Sequence, residues 1–323
     1  MPQRQRESVR LPDEYWRTQA RIGAGVSAQA LAQWSRVSPT SLTVSGAAWL
    51  TAVLSLIRLE RSRSREAAAA WYRLHRAVET GTTLPPLDGA NSESVTLGEL
   101  RDDWAQHADS ERTPQADDSE SVQVDDFSWP DVGTDAMDEA ARTSLIVTGP
   151  VRAQQAIDQE PADDGRGRLD SAEFLRELDT SMSNAGAASA GAADREALRG
   201  GRELVRAASR ADTRVIGWAR VTDGDPCDWC AMLASRGAVY RSRDVAGIRG
   251  RTGRTLPPVQ DPEDLEKYHN MCHCQTIPVY SRSAQLPESS ERFARDWPRV
   301  TRGLAGAEAR AAWRRHISAR RRG

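Results

Sequence analysis

What most constrains this 323-residue chain is the placement of its thiols. All four cysteines fall in two short clusters, Cys227-Asp228-Trp229-Cys230 and His269-Asn270-Met271-Cys272-His273-Cys274, separated by a long insert. A tetrahedral zinc needs such a pattern, because each knuckle supplies two thiolate or imidazole ligands from neighbouring turns of backbone. Two other readings compete: a reduced cluster of small buried side chains and a disulfide pair. Residues i and i+2 of a strand share a face, so Cys272 and Cys274 can approach one ion together. The candidate ligands are therefore Cys227, Cys230 and Cys272, with His269 or Cys274 completing the set and the remaining one supporting it.

Composition narrows the field only modestly. With 39% apolar and 28% charged residues, the packed part should be smaller than the chain, and a net charge of -2 gives no global argument for nucleic acid. The distribution is more telling. Acidic residues crowd the stretch from Asp109 to Asp131, Arg299 to Arg322 is almost purely basic, and Lys267 is the sole lysine. No signal-peptide pattern and no apolar run approaching membrane-spanning length stands out, so no membrane partner is expected. A protein expected in the cytosol when made tends to use thiols for metal or redox chemistry instead of structural disulfides.

The fold expected is mainly α with a small α+β module. Leu11-Pro12-Asp13-Glu14 suggests a helix start, and after Ser38-Pro39 the apolar positions Leu50, Val53, Leu54 and Ile57 recur at helical spacing. Beyond an arginine-rich turn at Arg58 to Arg65 the stripe resumes at Trp71, Leu74 and Val78, which suggests an antiparallel helical pair. Trp16, Trp34, Trp49 and Trp71 are candidate interface anchors or core residues. Gly23-Ala24-Gly25 lacks the strand and third glycine of a phosphate loop. Residues 1–105 thus form a helical region and 106–133 an acidic linker. Residues 134–210 form a second helical region, with a stop at Gly149-Pro150, a capping box at Asp170 and Glu173, and a break at Gly200-Gly201. Residues 211–285 form the Cys/His module, with strands near 215–221, at 237–240 and toward the end of 272–280, a turn at Asp223-Gly224-Asp225-Pro226 and an arginine and glycine loop at 241–258. Residues 286–323 form a basic tail.

Val221-Thr222-Asp223-Gly224-Asp225-Pro226 leading into the first cysteine pair, and Tyr268 to Cys274 around the second, resemble the MuF-like minor head proteins of tailed bacteriophages, in the form found in actinobacterial phages. Cys227, Cys230, His269, Cys272 and Cys274 match that family's motif position by position, whereas His273 stands where an arginine is common. The resemblance implies a minor capsid component that associates with the portal protein and with the major capsid or scaffold protein. Its expected location is the host cytoplasm during assembly and then the virion, in the head interior or at the portal vertex.

Members of that group are often labelled capsid maturation proteases. In this chain Cys230 with His273 as base, oriented by Asp223 or Asp228, would meet the minimal requirement. A closed four-ligand site leaves no position for catalysis, so no catalytic residue is assigned. A third reading is binding of packaged DNA through Arg310, Arg314, Arg315, Arg320, Arg321 and Arg322, with Trp313 packing or stacking beside them.

Overall fold

The computed structural model describes residues 3–89, 92–158, 172–222, 226–240 and 268–321. Three long helices dominate: α1 (Gln3–Trp34), α2 (Leu42–Thr80) and α6 (Ala172–Ala211). Each packs on the other two. Small side chains make the close approach possible, with Ala67 to Ala70 of α2 and Ala185, Ala190, Ala193 and Ala197 of α6 all buried. Dispersion and apolar burial rise as the backbones near one another, which is how an alanine-rich seam still forms a core.

Several boundaries differ from expectation, each for a reason visible in the packing. Pro12 lies inside α1, which already starts at Gln3. The arginine-rich turn is unbroken helix within α2, because Arg61 is buried and satisfied by Asp138 at 2.6 Å and by the Glu196 carbonyl at 3.1 Å. Gly200-Gly201 does not end a helix: a Cβ at Gly200 would sit 2.3 Å from the Arg61 carbonyl, and one at Gly201 2.7 Å from that of Ser64. The glycines admit the backbone of α2 against α6. Trp34, Trp49 and Trp71 fill the core; Tyr15 stacks on Trp71 with ring centroids 4.3 Å apart. The first half of α2 is apolar enough by length and composition to cross a membrane, contrary to expectation, yet its Trp49, Val53, Leu54 and Ile57 are buried in the bundle.

The segment expected as an acidic linker is anchored along much of its length. Strand β3 (Ser121–Val124) lies between β1 (Thr82–Thr83), parallel to it, and β2 (Ser94–Thr96), antiparallel. Asp117 and Asp118 accept from buried Arg101 of α3 (Leu97–His107), both at 2.8 Å, and Asp125 accepts from buried Arg76 at 2.6 Å. Those arginines are what the acidic composition conceals. Helix α4 (Thr134–Ile146) continues through a π turn at Val147–Val151, which holds Gly149-Pro150, into α5 (Arg152–Asp158). The expected capping box begins at Asp170, outside the described residues, as do the turn residues Asp223 to Asp225 and the loop 241–258.

The second sheet has β4 (Gly217–Val221) at its centre, flanked by β5 (Val239–Tyr240) and β6 (Gln275–Val279), both antiparallel. A short helix, α7 (Asp228–Ala234), follows β4. The basic tail is a folded helical pair, α8 (Glu288–Val300) and α9 (Gly306–Arg320). Trp313 of α9 is buried with Phe293 against Ala231 and Ala234 of α7, and its indole N–H donates to the Asp228 carbonyl at 3.0 Å. The indole is thus a core group with its polar atom satisfied, and it has no face left for a base to stack on.

Candidate metal centre

Pairing of β4 with β6 aligns Val221 with Gln275 at one end of the ladder. The first knuckle follows β4 and the second immediately precedes β6, so the antiparallel register carries both to the same end of the sheet. Cys227 caps α7, and its sulfur accepts the Cys230 N–H at 3.4 Å. In the second knuckle the chain turns at Met271, whose φ of +60° is unusual for a non-glycine residue. The Cys272 N–H closes that turn on the His269 carbonyl at 3.2 Å. A residue held in the left-handed region between two candidate ligands marks a constraint imposed by the site.

All five candidate ligands come together. Cys227 Sγ lies 3.0 Å from His269 Nε2, while Cys230 Sγ lies 4.0 Å from that nitrogen and 3.5 Å from Cys272 Sγ. Two donor sets result, one of Cys227, Cys230 and His269 and one of Cys230, Cys272 and Cys274, each with its donor atoms within 4.8 Å of one another. Cys230 belongs to both. Ligand atoms bonded tetrahedrally at about 2.3 Å stand roughly 3.8 Å apart, so the spacing within each set is of the order that suits a small soft cation.

The surroundings are cationic. Arg220 is 1% exposed, and its guanidinium sits 3.8 Å from Cys230 Sγ and 3.7 Å from Cys272 Sγ. It also lies over the Tyr268 ring, 4.3 Å from the centroid, and Arg202 lies 3.9 Å from the same centroid while donating to the Cys272 carbonyl. A buried guanidinium facing sulfur is favourable when the sulfur is a thiolate. Hydrogen bonding from Cys230 and Cys274, with the charge of both arginines, holds Cys272 well below the usual thiol range. The contact with Cys230 and the helix-capping N–H, with help from His269, bring Cys227 down to about 5 despite partial burial. Cys230 is pushed far up by its thiol neighbours and burial; at Cys274 the Cys230 contact lowers the pKa, but Cys272 and burial carry it up to about 12. Burial disfavours a charged His269, yet the Asn270 carbonyl and Cys227 outweigh it and raise its pKa. Cys227 and Cys272 are thus the sulfurs whose thiolate form is favoured, and Cys230 and Cys274 are the ones that favour keeping their protons. Binding a metal displaces those protons.

His273 takes a different place from the one its motif position suggested. Its Nε2 lies 3.4 Å from Oδ1 of Asp194, a fully buried carboxylate on α6, and Asp194 raises the pKa of the imidazole despite partial burial. The expected base for Cys230 is instead a tie between module and bundle. Asp228 accepts from Arg314 at 3.1 Å, and Asp223 lies outside the described residues. Sequence reasoning missed Arg220, Arg202 and Asp194. Only Arg220 carried a signal, as a lone charge inside the apolar run Val215 to Val221.

The family model for VG15 protein matches residues 139–300. The chain belongs to the VG15 family. Among its curated relatives, the Gene 15 protein of Mycobacterium phage L5 is 36% identical, over 20% of this chain and 30% of that protein. The Gene 15 protein of Mycobacterium phage D29 is 33% identical, over 27% of this chain and 37% of that protein. The chain thus spans about a third of the length of these relatives, and no solved structure matches it. The region matched to VG15 contains both knuckles, α6 and α8, and leaves out α1, α2 and α9. This VG15 protein is phage-encoded and mainly α-helical, and its candidate ligands all lie within the segment that defines the family.

Proposed function

We propose that this VG15 protein is a MuF-like minor head protein of a tailed phage, associated with the portal, and that its Cys/His module is a zinc staple. The observation that supports the structural role is the double membership of Cys230: two overlapping three-donor sets share it, and together they offer more donors than the four a tetrahedral ion takes. Such a set is closed, with no open position for water or substrate. Thiolate and imidazole donors without carboxylates are the chemistry zinc favours. A zinc with three or four thiolates carries a net charge of about -1 or -2, and buried Arg220 is placed to offset one unit. The ion would supply cohesion at the end of the sheet, where Cys230, Cys272 and Cys274 form a cluster apart from the main apolar core. Portal and capsid or scaffold proteins are the proposed partners. Co-expression of the full chain with its portal should give a complex that co-purifies and is retained in assembled heads; its absence from both would remove the head role.

One observation favours the protease reading as the alternative. Cys227 Sγ sits 3.0 Å from His269 Nε2 with its thiol lowered to about 5, the thiolate and imidazole pairing that a cysteine nucleophile uses. Co-expression with the major capsid protein separates the two roles. A staple leaves capsid-protein mass unchanged in Cys227→Ala. A protease loses one defined cleavage in a Cys227→Ala variant that keeps its melting temperature.

A further inference from the structure

We propose that a cleft along α6, beside the metal centre, is a binding site for a phosphoryl group. The cleft encloses about 250 Å³ and is lined on one side by Arg195, Arg199, Arg202, Arg206 and Arg210. At 3.6 residues per turn these five positions fall on one narrow face of the helix. Trp218 of β4, Thr276 of β6 and Tyr268 form the remaining wall. Two carboxylates, Glu196 and Glu203, share the lining, so among the described residues guanidinium groups outnumber them.

Arg202 turns this stripe into a site. Its side chain is 7% exposed, and both Nε and one terminal nitrogen are buried without a hydrogen-bond partner, while the other terminal nitrogen is taken by the Cys272 carbonyl. Leaving a buried charged donor unsatisfied costs about 1–3 kcal/mol or more, so these N–H groups call for an acceptor. Tyr268 holds the guanidinium plane in place from its ring face. Arg199 is more open at 37% exposure, and its carboxylate contacts are long, at 3.6 Å to Glu196 and 3.9 Å to Glu203. It is therefore available to a stronger anion. Planar forks presented by neighbouring arginines match the tetrahedral oxygens of a phosphoryl group, with bidentate, charge-assisted bonds. A single carboxylate offers only two oxygens in one plane. The phosphoryl group can come from free phosphate or pyrophosphate, or from the backbone of single-stranded nucleic acid.

The test titrates pyrophosphate into the full chain by calorimetry, with metal content measured on the same sample. Saturable binding is expected. Arg199→Glu should weaken it by about tenfold, the effect of losing one charge-assisted hydrogen bond. Arg202→Gln should abolish it, and Arg310→Glu on the exposed side of α9 should leave it unchanged. If Arg202→Gln fails to fold, Arg199→Glu decides alone. A short single-stranded oligonucleotide that displaces pyrophosphate identifies a nucleic-acid source, and one that does not identifies a free phosphate; both support the site. No saturable pyrophosphate binding, equal affinity in Arg199→Glu, or citrate binding as tightly as pyrophosphate would each overturn it.

Discussion

The bundle and the Cys/His module solve the same stability problem with different materials. In the bundle, three helices of 32, 39 and 40 residues bury an extended seam, and their charges are absorbed in pairs such as Arg76 with Asp212 and Arg101 with Glu7. Among its described residues the module has two five-residue strands, one of two residues and a seven-residue helix, and the cluster beside them consists of Cys230, Cys272 and Cys274. Small domains without enough apolar area depend on a metal or a cross-link, and among the described residues the thiol-rich end of the sheet offers donors for one. The sheet shares the bundle's core through Ala219, Val221, Ile277 and Val279, so the proposed ligation would add to burial at its thiol-rich end.

The largest effect should come from breaking the ligation. Cys230→Ser removes a donor from both sets, and structural zinc contributes about 10–16 kcal/mol to folding in small zinc modules. Expected outcome: weakened metal binding, and early loss of module protection in hydrogen exchange while α1 and α2 keep theirs. Uniform loss across both regions would erase the distinction drawn here. Trp313→Ala comes next. It empties a fully packed position against α7, at a cost of about 3–5 kcal/mol, and should lower the stability of the module more than that of the bundle. Denaturant melts followed by exchange mass spectrometry would locate the change.

Gly200→Ala probes the bundle and should be milder. The new Cβ would lie 2.3 Å from the Arg61 carbonyl, so overpacking of about 1–3 kcal/mol outweighs the roughly 1 kcal/mol that alanine gains over glycine in a helix. A stabilised variant would show that the seam yields easily. Acidification should then order the two regions. The Cys227 thiol, lowered to about 5, contributes stability that is present above the unfolded thiol pKa and lost as pH falls through about 5. Burial raises the pKa of Asp125 and Asp138, but Arg76 in one case and Arg58 with Arg61 in the other carry both below the usual carboxylate value of about 3.9. Their contribution is present above that value and fades only as pH falls below it. In the metal-free chain the module should therefore weaken as pH falls toward 5 with the bundle still folded; simultaneous loss would contradict this order.

What the sequence disclosed follows the same divide. Helical spacing at Leu50, Val53, Leu54 and Ile57 and the two cysteine clusters are local patterns, and both were readable. Long-range partners were not. Arg61 reads as part of a turn until Asp138 and the Glu196 carbonyl are beside it, and Gly200-Gly201 reads as a break until α2 is against it. The acidic stretch around Asp117 and Asp125 has the composition of a linker because the arginines that pair with it lie elsewhere in the chain. At the candidate metal centre the two Cys/His clusters were legible, whereas Arg220 and the link from His273 to Asp194 were not, because both depend on the register of β4 with β6 and on the packing of α6.

Metal stoichiometry tests the central claim most directly. Native mass spectrometry of the full chain purified under reducing conditions, paired with elemental analysis and thiol titration, should show about one zinc per chain and thiols that react only after the protein is unfolded or the metal is chelated. A folded chain that carries no metal and has four freely titratable thiols would contradict the account.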